Sequence, residues 1–420
     1  MDEALSRGDS EARAVEPLRI DMARVRAFMA SAPPPPTSGF LLPPTGGAQG
    51  RLSALLARRN LRRLLKALAL LDSSASAEDQ RLYRCCAEAL LGQEDAALEV
   101  LCTEPELTSW VAVAEASRGT GASMAVQLAA TLLPELARRG GAPLTLRLAP
   151  DADGAFSMRR AGVRLVPDEP VPELHVRVGQ GGWSVVTTDG VREVHAGARL
   201  PGFQVQAVPR LLGTGPHLLP APTRWHVQNI SNELHTASGP EYAAFEEGMT
   251  SGAELLRRYW PEAWAHLSQS LRLLLPLRDR GLLPHNYSIH GFRGLVLSSP
   301  RRTYMAAQSL AHETGHNTLS TLIDLFPLCA NAHLVVVSPV VKANRTLPFV
   351  FHGCFAFSQD ILLTRKLIPA LQDVPTASLE KYLRETTDKV SAALDVLDQH
   401  AVFEPVGRAI RDEVAAVLAG

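Results

Sequence analysis

The chain of 420 residues lacks an excess of charge of either sign, since 42 lysine and arginine residues face 43 aspartate and glutamate residues. It therefore offers no broad basic field to a phosphate backbone or an anionic membrane, and neither nucleic acid nor a membrane is an expected partner. No run approaches the roughly 18 uninterrupted apolar residues of a transmembrane helix, and residues 1–16 are polar rather than signal-like. These absences predict a cytoplasmic protein.

Cysteine is scarce and unpatterned, with five residues and no C-x-x-C spacing. A disulfide framework and a cysteine zinc site are therefore disfavoured, and the thiols are expected to be reduced and buried. A fixed-period internal repeat is also missing, which argues against a solenoid or a propeller. In contrast, 46% of the residues are hydrophobic, which is enough for a full-sized core.

Proline, glycine and hydrophobic periodicity divide the chain into four parts. Residues 1–50 are rich in proline and glycine and are expected to form a poorly ordered leader or a surface wrap. Residues 51–140 predict a helical block, residues 141–222 a β-rich segment, and residues 223–420 a helical catalytic region. The predicted fold class is α+β and predominantly helical, with an active-site helix packed against a second helix.

One pentad has the residue types and spacing of a metal-binding motif: His312-Glu313-Thr314-Gly315-His316, an HExxH motif. A Ser-Pro pair precedes it and Pro327 follows an apolar run, so the pentad is predicted to lie inside one helix. Residues four apart on a helix share a face, so His312 and His316 can bind a single metal ion, with Glu313 beside it. Burying these three side chains without a metal would be costly, and we therefore predict a metal site.

The third metal ligand distinguishes the classes of HExxH protein. A metzincin would have glycine and histidine where this chain has Leu319 and Leu322, so that class is excluded. Other metallopeptidases use a downstream glutamate, but the only acid between His316 and Gln359 is Asp324. Asp324 follows His316 by eight residues on the same predicted helix, about 12 Å along its axis, which is too far to share a ligand shell.

The favoured third ligand is His352. It lies in an apolar stretch that follows a predicted strand at 334–341 and is expected to form a helix facing the motif helix. Gly353 beside it permits close approach of the backbone, and His333, in a loop-like stretch, is the reserve. His285 and His290 are expected in loops near the site.

Three stretches around the pentad resemble a known family. GLVLSSP, AHETGHNTLSTLIDLFPL and NRTLPFVFHGCFAF are similar to HExxH-motif proteins found beside gene clusters for ribosomally synthesised and post-translationally modified peptides. The resemblance covers roughly residues 225–370. It implies an iron(II)- and 2-oxoglutarate-dependent peptide hydroxylase, a dioxygenase that adds a hydroxyl group to the β-carbon of a side chain in a precursor peptide.

An oxygenase of this type needs three open coordination positions, two for the keto acid and one for O2. Ligation by His312, His316 and His352 would leave that number on an octahedral iron(II). Most such enzymes use two histidines and one carboxylate, however, so Glu313 or another acid remains an alternative ligand.

The distal carboxylate of 2-oxoglutarate requires a fixed cation, and arginine can bind it with two parallel hydrogen bonds. Arg345 is the predicted partner because it shortly precedes His352 in an apolar context, and Arg293 is the second choice.

Two other functions remain open at this point. In a zinc-dependent metallopeptidase, Glu313 would be the general base, and GLVLSS would be the edge strand that aligns the substrate. In a peptide-binding module, the metal would only stabilise the fold, and protein ligands would fill all its coordination positions. Asp324 is expected to be structural, with a partner that the sequence does not identify.

Overall fold

The structure, a computed structural model, is α+β and predominantly helical, as predicted. It describes residues 18–41, 47–117, 124–139, 142–179, 182–187, 190–222, 237–278, 286–289, 291–299, 303–371 and 376–420.

Thirteen helices and thirteen strands lie within these residues. The helices are α1 Met22–Ala30, α2 Ala48–Asp72, α3 Ala77–Leu91, α4 Asp95–Cys102, α5 Pro105–Ser117, α6 Met124–Thr131, α7 Leu133–Arg139, α8 Gly239–Tyr259, α9 Pro261–Ser270, α10 Thr303–Leu325, α11 Leu347–Leu367, α12 Thr376–His400 and α13 Pro405–Ala419. The strands are β1 Leu144–Leu148, β2 Phe156–Met158, β3 Val163–Pro167, β4 Leu174–Gly179, β5 Gly182–Thr187, β6 Gly190–Glu193, β7 Phe203–Ala207, β8 His217–Leu218, β9 Leu273–Pro276, β10 Asn286–Ser288, β11 Leu295–Ser298, β12 Val335–Ser338 and β13 Ala343–Thr346. The strand orders are β1-β4-β5-β6, β2-β3-β7, β10-β11-β9-β8 and β12-β13.

The helical block and the β-rich segment share one hydrophobic core. Strand β1 alternates buried and exposed residues, and its buried Leu146 belongs to the same apolar cluster as Leu61 of α2 and Trp110 of α5. Alternation with period two lets one face of a sheet cover the apolar sides of helices. The two parts predicted from periodicity therefore pack together as one unit.

Residues 18–41, part of the segment expected to form a poorly ordered leader or a surface wrap, pack against the rest of the protein. Helix α1 lies there and buries Phe28, and Phe40 and Leu41 are buried against the C-terminal helices. The carboxylate of Glu413 accepts hydrogen bonds from the backbone N–H groups of residues 39, 40 and 41. A few apolar side chains and one carboxylate thus tie a proline-rich segment to the surface, as in the predicted wrap.

Glycine permits two close helix contacts that position α10. A Cβ on Gly252 of α8 would lie 2.6 Å from the Cβ of Ala306, closer than real Cβ atoms approach. A Cβ on Gly315 would lie 3.2 Å from the Cα of Ala356 on α11. The motif helix is therefore held by α8 against its first turn and by α11 against its middle.

Strand β11, which contains most of GLVLSS, is an interior strand. It pairs antiparallel with β10 and parallel with β9, and all four of its residues are buried. The expectation that this stretch is a substrate-aligning edge strand was wrong, because β10 covers that edge.

Helix α11 is long and apolar enough to cross a membrane by length and composition alone. However, 67% of its most apolar window is buried inside the protein, against α10, α12 and α13. Such burial is typical of a core helix and is consistent with a soluble protein.

Candidate metal centre

The HExxH pentad lies in the middle of helix α10, inside one helix as predicted. The helix begins at Thr303, and Pro300 of the predicted Ser-Pro start lies outside the described residues. His312 and His316 occupy successive turns, with ring centroids 4.7 Å apart and ring planes at 84°. The helical repeat of 3.6 residues places both imidazoles on the side of α10 that faces α11. Two imidazole nitrogens on one face of a helix can supply two of the ligands of a single metal ion.

His312, Glu313 and His316 form a compact group that could hold a metal ion. One ligand atom from each residue can be chosen so that all three lie within 4.8 Å of one another. Glu313 is only 2% exposed, so its carboxylate has little access to water. Two imidazoles and a buried carboxylate are the donor types that divalent transition metals bind, and the group fits such an ion.

Asp360 of α11 orients His312. Its Oδ2 lies 3.1 Å from Nδ1 of His312, and the hydroxyl of Tyr382 on α12 donates to the same oxygen at 2.8 Å. Burial lowers the pKa of His312, but the charge of Asp360 and its hydrogen bond raise it to about 9. Because Nδ1 is bonded to Asp360, Nε2 is the nitrogen left for a metal.

His352 pairs with the second motif histidine. Its Nδ1 lies 3.1 Å from Nδ1 of His316, so α11 faces the motif helix at the predicted residue. Burial lowers the pKa of His316 well below its usual value, and the nearby His312 and His352 lower it further. His316 is therefore a neutral imidazole, the form that binds metals. His352 lies outside the compact group, so its assignment as the third ligand stays a prediction.

Glu313 is fixed by polar contacts with the neighbouring sheet. The hydroxyl of Ser288 on β10 donates to its carboxylate, and Asn317 donates to the Ser288 oxygen at 3.1 Å. The side-chain oxygen of Asn317 accepts from the backbone N–H of Gly294 at 2.9 Å. Burial raises the pKa of Glu313, while His312 and Ser288 oppose this rise. A buried carboxylate of raised pKa beside two imidazoles can ligate a metal or accept a proton.

Arg345 lies on β13 and is exposed, rather than in an apolar helical environment as expected. The predicted strand at 334–341 is shorter than expected and returns as a hairpin, and α11 begins only at Leu347. Arg345 donates to the backbone oxygen of Asn344 at 3.0 Å. Its assignment to the carboxylate of 2-oxoglutarate stays a prediction.

Arg293 supplies the partner that Asp324 required. It donates to the Asp324 carboxylate at 2.5 Å and to the Ser320 carbonyl at 2.8 Å, and Arg59 lies 3.2 Å from the same carboxylate. Both Arg293 and Asp324 are largely enclosed. Arg293 therefore ties the C-terminal end of α10 to the loop before β11, which is a structural role.

The other histidines predicted near the site, and a cavity in the N-terminal half, do not add to the group. His333 is exposed in a turn, and His285 and His290 lie outside the described residues. A cavity of about 600 Å³ lies in the N-terminal half, between α3, α6, β1 and β2, and none of the metal-centre residues lines it.

No protein-family model matches the chain, and no curated protein matches it. The resemblance in the three stretches around the pentad therefore remains a prediction, and the case for a function depends on the geometry of the metal centre.

Proposed function

We propose that the protein is a non-haem iron(II) enzyme that uses 2-oxoglutarate and O2 to hydroxylate the β-carbon of a side chain in a ribosomally made precursor peptide. The observation that carries the proposal is the compact group of His312, Glu313 and His316. Two imidazoles and one carboxylate are the protein ligands typical of iron(II) oxygenases. The resemblance of the three sequence stretches supports the choice of 2-oxoglutarate and a peptide.

His312 and His316 would hold the metal, and His312 would bind it through Nε2, because Nδ1 contacts Asp360. Glu313 and the predicted His352 are the two candidates for the third position, and both lie beside His316. When bound, iron(II) would let O2 oxidise both 2-oxoglutarate, to succinate and CO2, and the substrate C–H bond, each receiving one oxygen atom.

The chain's own residues supply orientation and the exclusion of water. Asp360 and Tyr382 fix the ring of His312, while Ser288 fixes the carboxylate of Glu313. Because these supporting side chains come from α11, α12 and β10, packing of three elements sets the metal centre. The proposed compartment is the cytoplasm, where all five cysteines, which are free and buried, would stay reduced.

Consumption of 2-oxoglutarate tests the proposal without knowledge of the peptide. Protein loaded with iron(II) should consume added 2-oxoglutarate slowly in air, and His312→Ala should abolish that consumption. His175→Ala, which removes a half-buried histidine on β4, is the matched control and should retain it. No consumption by iron-loaded wild-type protein would contradict the proposal.

The second candidate is a zinc metallopeptidase with Glu313 as the general base. The raised pKa of Glu313 and its position beside both motif histidines favour this function. It predicts peptide-bond cleavage, stopped by a chelator and restored by zinc. The interior position of β11 removes the substrate-aligning edge that this candidate assigned to GLVLSS.

A further inference from the structure

The β12–β13 hairpin carries an exposed apolar surface. Val335 and Val337 alternate on the outer face of β12 and are 56% and 64% exposed. Val341 in the turn is 54% exposed, and Phe349 in the first turn of α11 is 61% exposed. These four residues are called the hairpin patch.

Exposure of large apolar side chains is concentrated in this part of the molecule. Among the described residues, twelve large hydrophobic side chains are exposed, and five of them lie between residues 334 and 349. Singly scattered exposed hydrophobics are ordinary, whereas a cluster of them marks a surface that contacts a partner.

One residue of the hairpin patch, Phe349, lies beside a predicted ligand of the metal centre. A Cβ on Gly353 would lie 3.1 Å from Cγ2 of Val340, so the hairpin turn packs directly on α11 beside His352. The ring centroid of Phe349 lies 6.2 Å from that of His352, whose Nδ1 lies 3.1 Å from His316. A ligand that contacts Phe349 would therefore lie next to His352, which contacts His316.

The charge of this region is positive. No aspartate or glutamate occurs between residues 325 and 359, while Lys342 and Arg345 are both exposed on the hairpin. Within the described part of the chain, no carboxylate forms an ion pair with either cation. An apolar surface flanked by two such cations complements a ligand with apolar side chains and a carboxylate.

We infer that the hairpin patch binds a segment of the peptide substrate that contains apolar side chains and at least one carboxylate. Val335, Val337 and Phe349 contact the apolar side chains, and Lys342 and Arg345 pair with the carboxylate. In this inference Arg345 binds the peptide instead of 2-oxoglutarate, the partner predicted from the sequence. The identity of this peptide as a substrate rests on the proposed function. The hairpin is a two-stranded sheet, so an extended peptide can also pair with a strand edge.

An anionic membrane is the competing partner for an apolar and basic surface. Protein segments that bind anionic lipids typically contain clusters of about four to eight basic residues. The hairpin has only Lys342 and Arg345, which favours a peptide.

Fluorescence anisotropy of the full-length protein tests the inference with two labelled dodecapeptides. Both contain three leucines in a Gly-Ser background; one has two glutamates and the other has two lysines at the same positions. The glutamate peptide should bind about tenfold more tightly than the lysine peptide. The double variant Lys342→Glu, Arg345→Glu should reverse that preference.

A pair of valines on another hairpin provides the matched control. Val335→Ser with Val337→Ser should weaken binding of the glutamate peptide about tenfold. Val186→Ser with Val191→Ser, a cross-strand pair exposed on β5 and β6, should leave binding unchanged. Circular dichroism checks that each variant is folded.

The inference is overturned if neither peptide binds saturably, or if the two valine pairs weaken binding equally. It is also overturned, in favour of a membrane, if the protein binds neither peptide but sediments with vesicles containing phosphatidylserine, and if the valine changes in the hairpin patch abolish that sedimentation. Anisotropy needs neither iron nor turnover, so failure here is distinguishable from a failure of the proposed function.

Discussion

Asp360 and His312 meet across the interface of α10 and α11, with Oδ2 and Nδ1 3.1 Å apart. This contact fixes the ring orientation of the first motif histidine and leaves its Nε2 for a metal. One turn along the helix, Nδ1 of His316 faces Nδ1 of His352 at 3.1 Å. His312 is therefore held at Nδ1 by a carboxylate of the facing helix, as is common for metal-binding histidines.

Replacing Asp360 with Asn should weaken binding of zinc or iron(II) by about tenfold to a hundredfold. The isosteric amide keeps the packing but removes the charge that holds the imidazole. Competition with a chromogenic chelator measures the change. Asp398→Asn is the control, since Asp398 is exposed and paired with Arg411 on the surface. Equal affinity in the two variants would show that Asp360 does not support a metal ligand.

Replacing Glu313 with Gln separates the two candidate functions. The amide can still accept the hydrogen bond from Ser288, so the fold should be retained. If Glu313 is a general base of a zinc peptidase, cleavage should disappear completely. In the oxygenase, 2-oxoglutarate consumption should fall but exceed that of His312→Ala. Glu385→Gln, on the exposed face of α12, should behave like the wild type.

Replacing Gly252 with Ala should destabilise the protein by about 2 kcal/mol, because the new methyl group would overlap α10 and overpacking costs about 1–3 kcal/mol. A lower midpoint in thermal unfolding measures the loss. Gly239→Ala, at the start of the same helix, meets nothing within 4 Å and is the control. Equal midpoints would mean that α8 does not position the motif helix.

His266 should make the protein sensitive to acid. Its Nε2 lies 2.9 Å from Oγ1 of Thr318 on the motif helix, and burial lowers its pKa to about 4. The unfolded chain would take up a proton below a pKa of about 6.5. Stability from this residue is therefore complete above pH 6.5 and is lost as the pH falls toward 4, by at most about 3 kcal/mol.

Urea unfolding at pH 7 and pH 4.5 measures this loss. His266→Asn should lose less stability between the two pH values than the wild type, while His175→Asn, at a half-buried position on β4, should follow the wild type. If His266→Asn loses as much stability as the wild type between pH 7 and pH 4.5, His266 is not the source of the acid sensitivity.

The local parts of the site could be predicted from the sequence. Periodicity and capping identified the motif helix and the helix that contains His352 because both signals lie within about twenty residues. Arg345 was misplaced because the start of α11 depends on the pairing of β12 with β13, which sequence periodicity does not specify.

Asp360, Tyr382 and Ser288 were missed because their contacts depend on how distant elements cross. One usable signal was present. If His316 faces His352 on an antiparallel helix, then His312, one turn earlier, faces residues one to two turns after His352, and Asp360 lies there. For Ser288, on a short strand, no comparable signal exists.

The most direct test of the metal centre is the visible spectrum of anaerobic, iron(II)-loaded protein after addition of 2-oxoglutarate. A keto acid chelated to iron(II) gives a weak charge-transfer band. This band should appear in the wild type and in His175→Ala, and it should be lost in His312→Ala. A metal-replete wild-type protein without the band would contradict an iron(II) and 2-oxoglutarate site at the motif histidines.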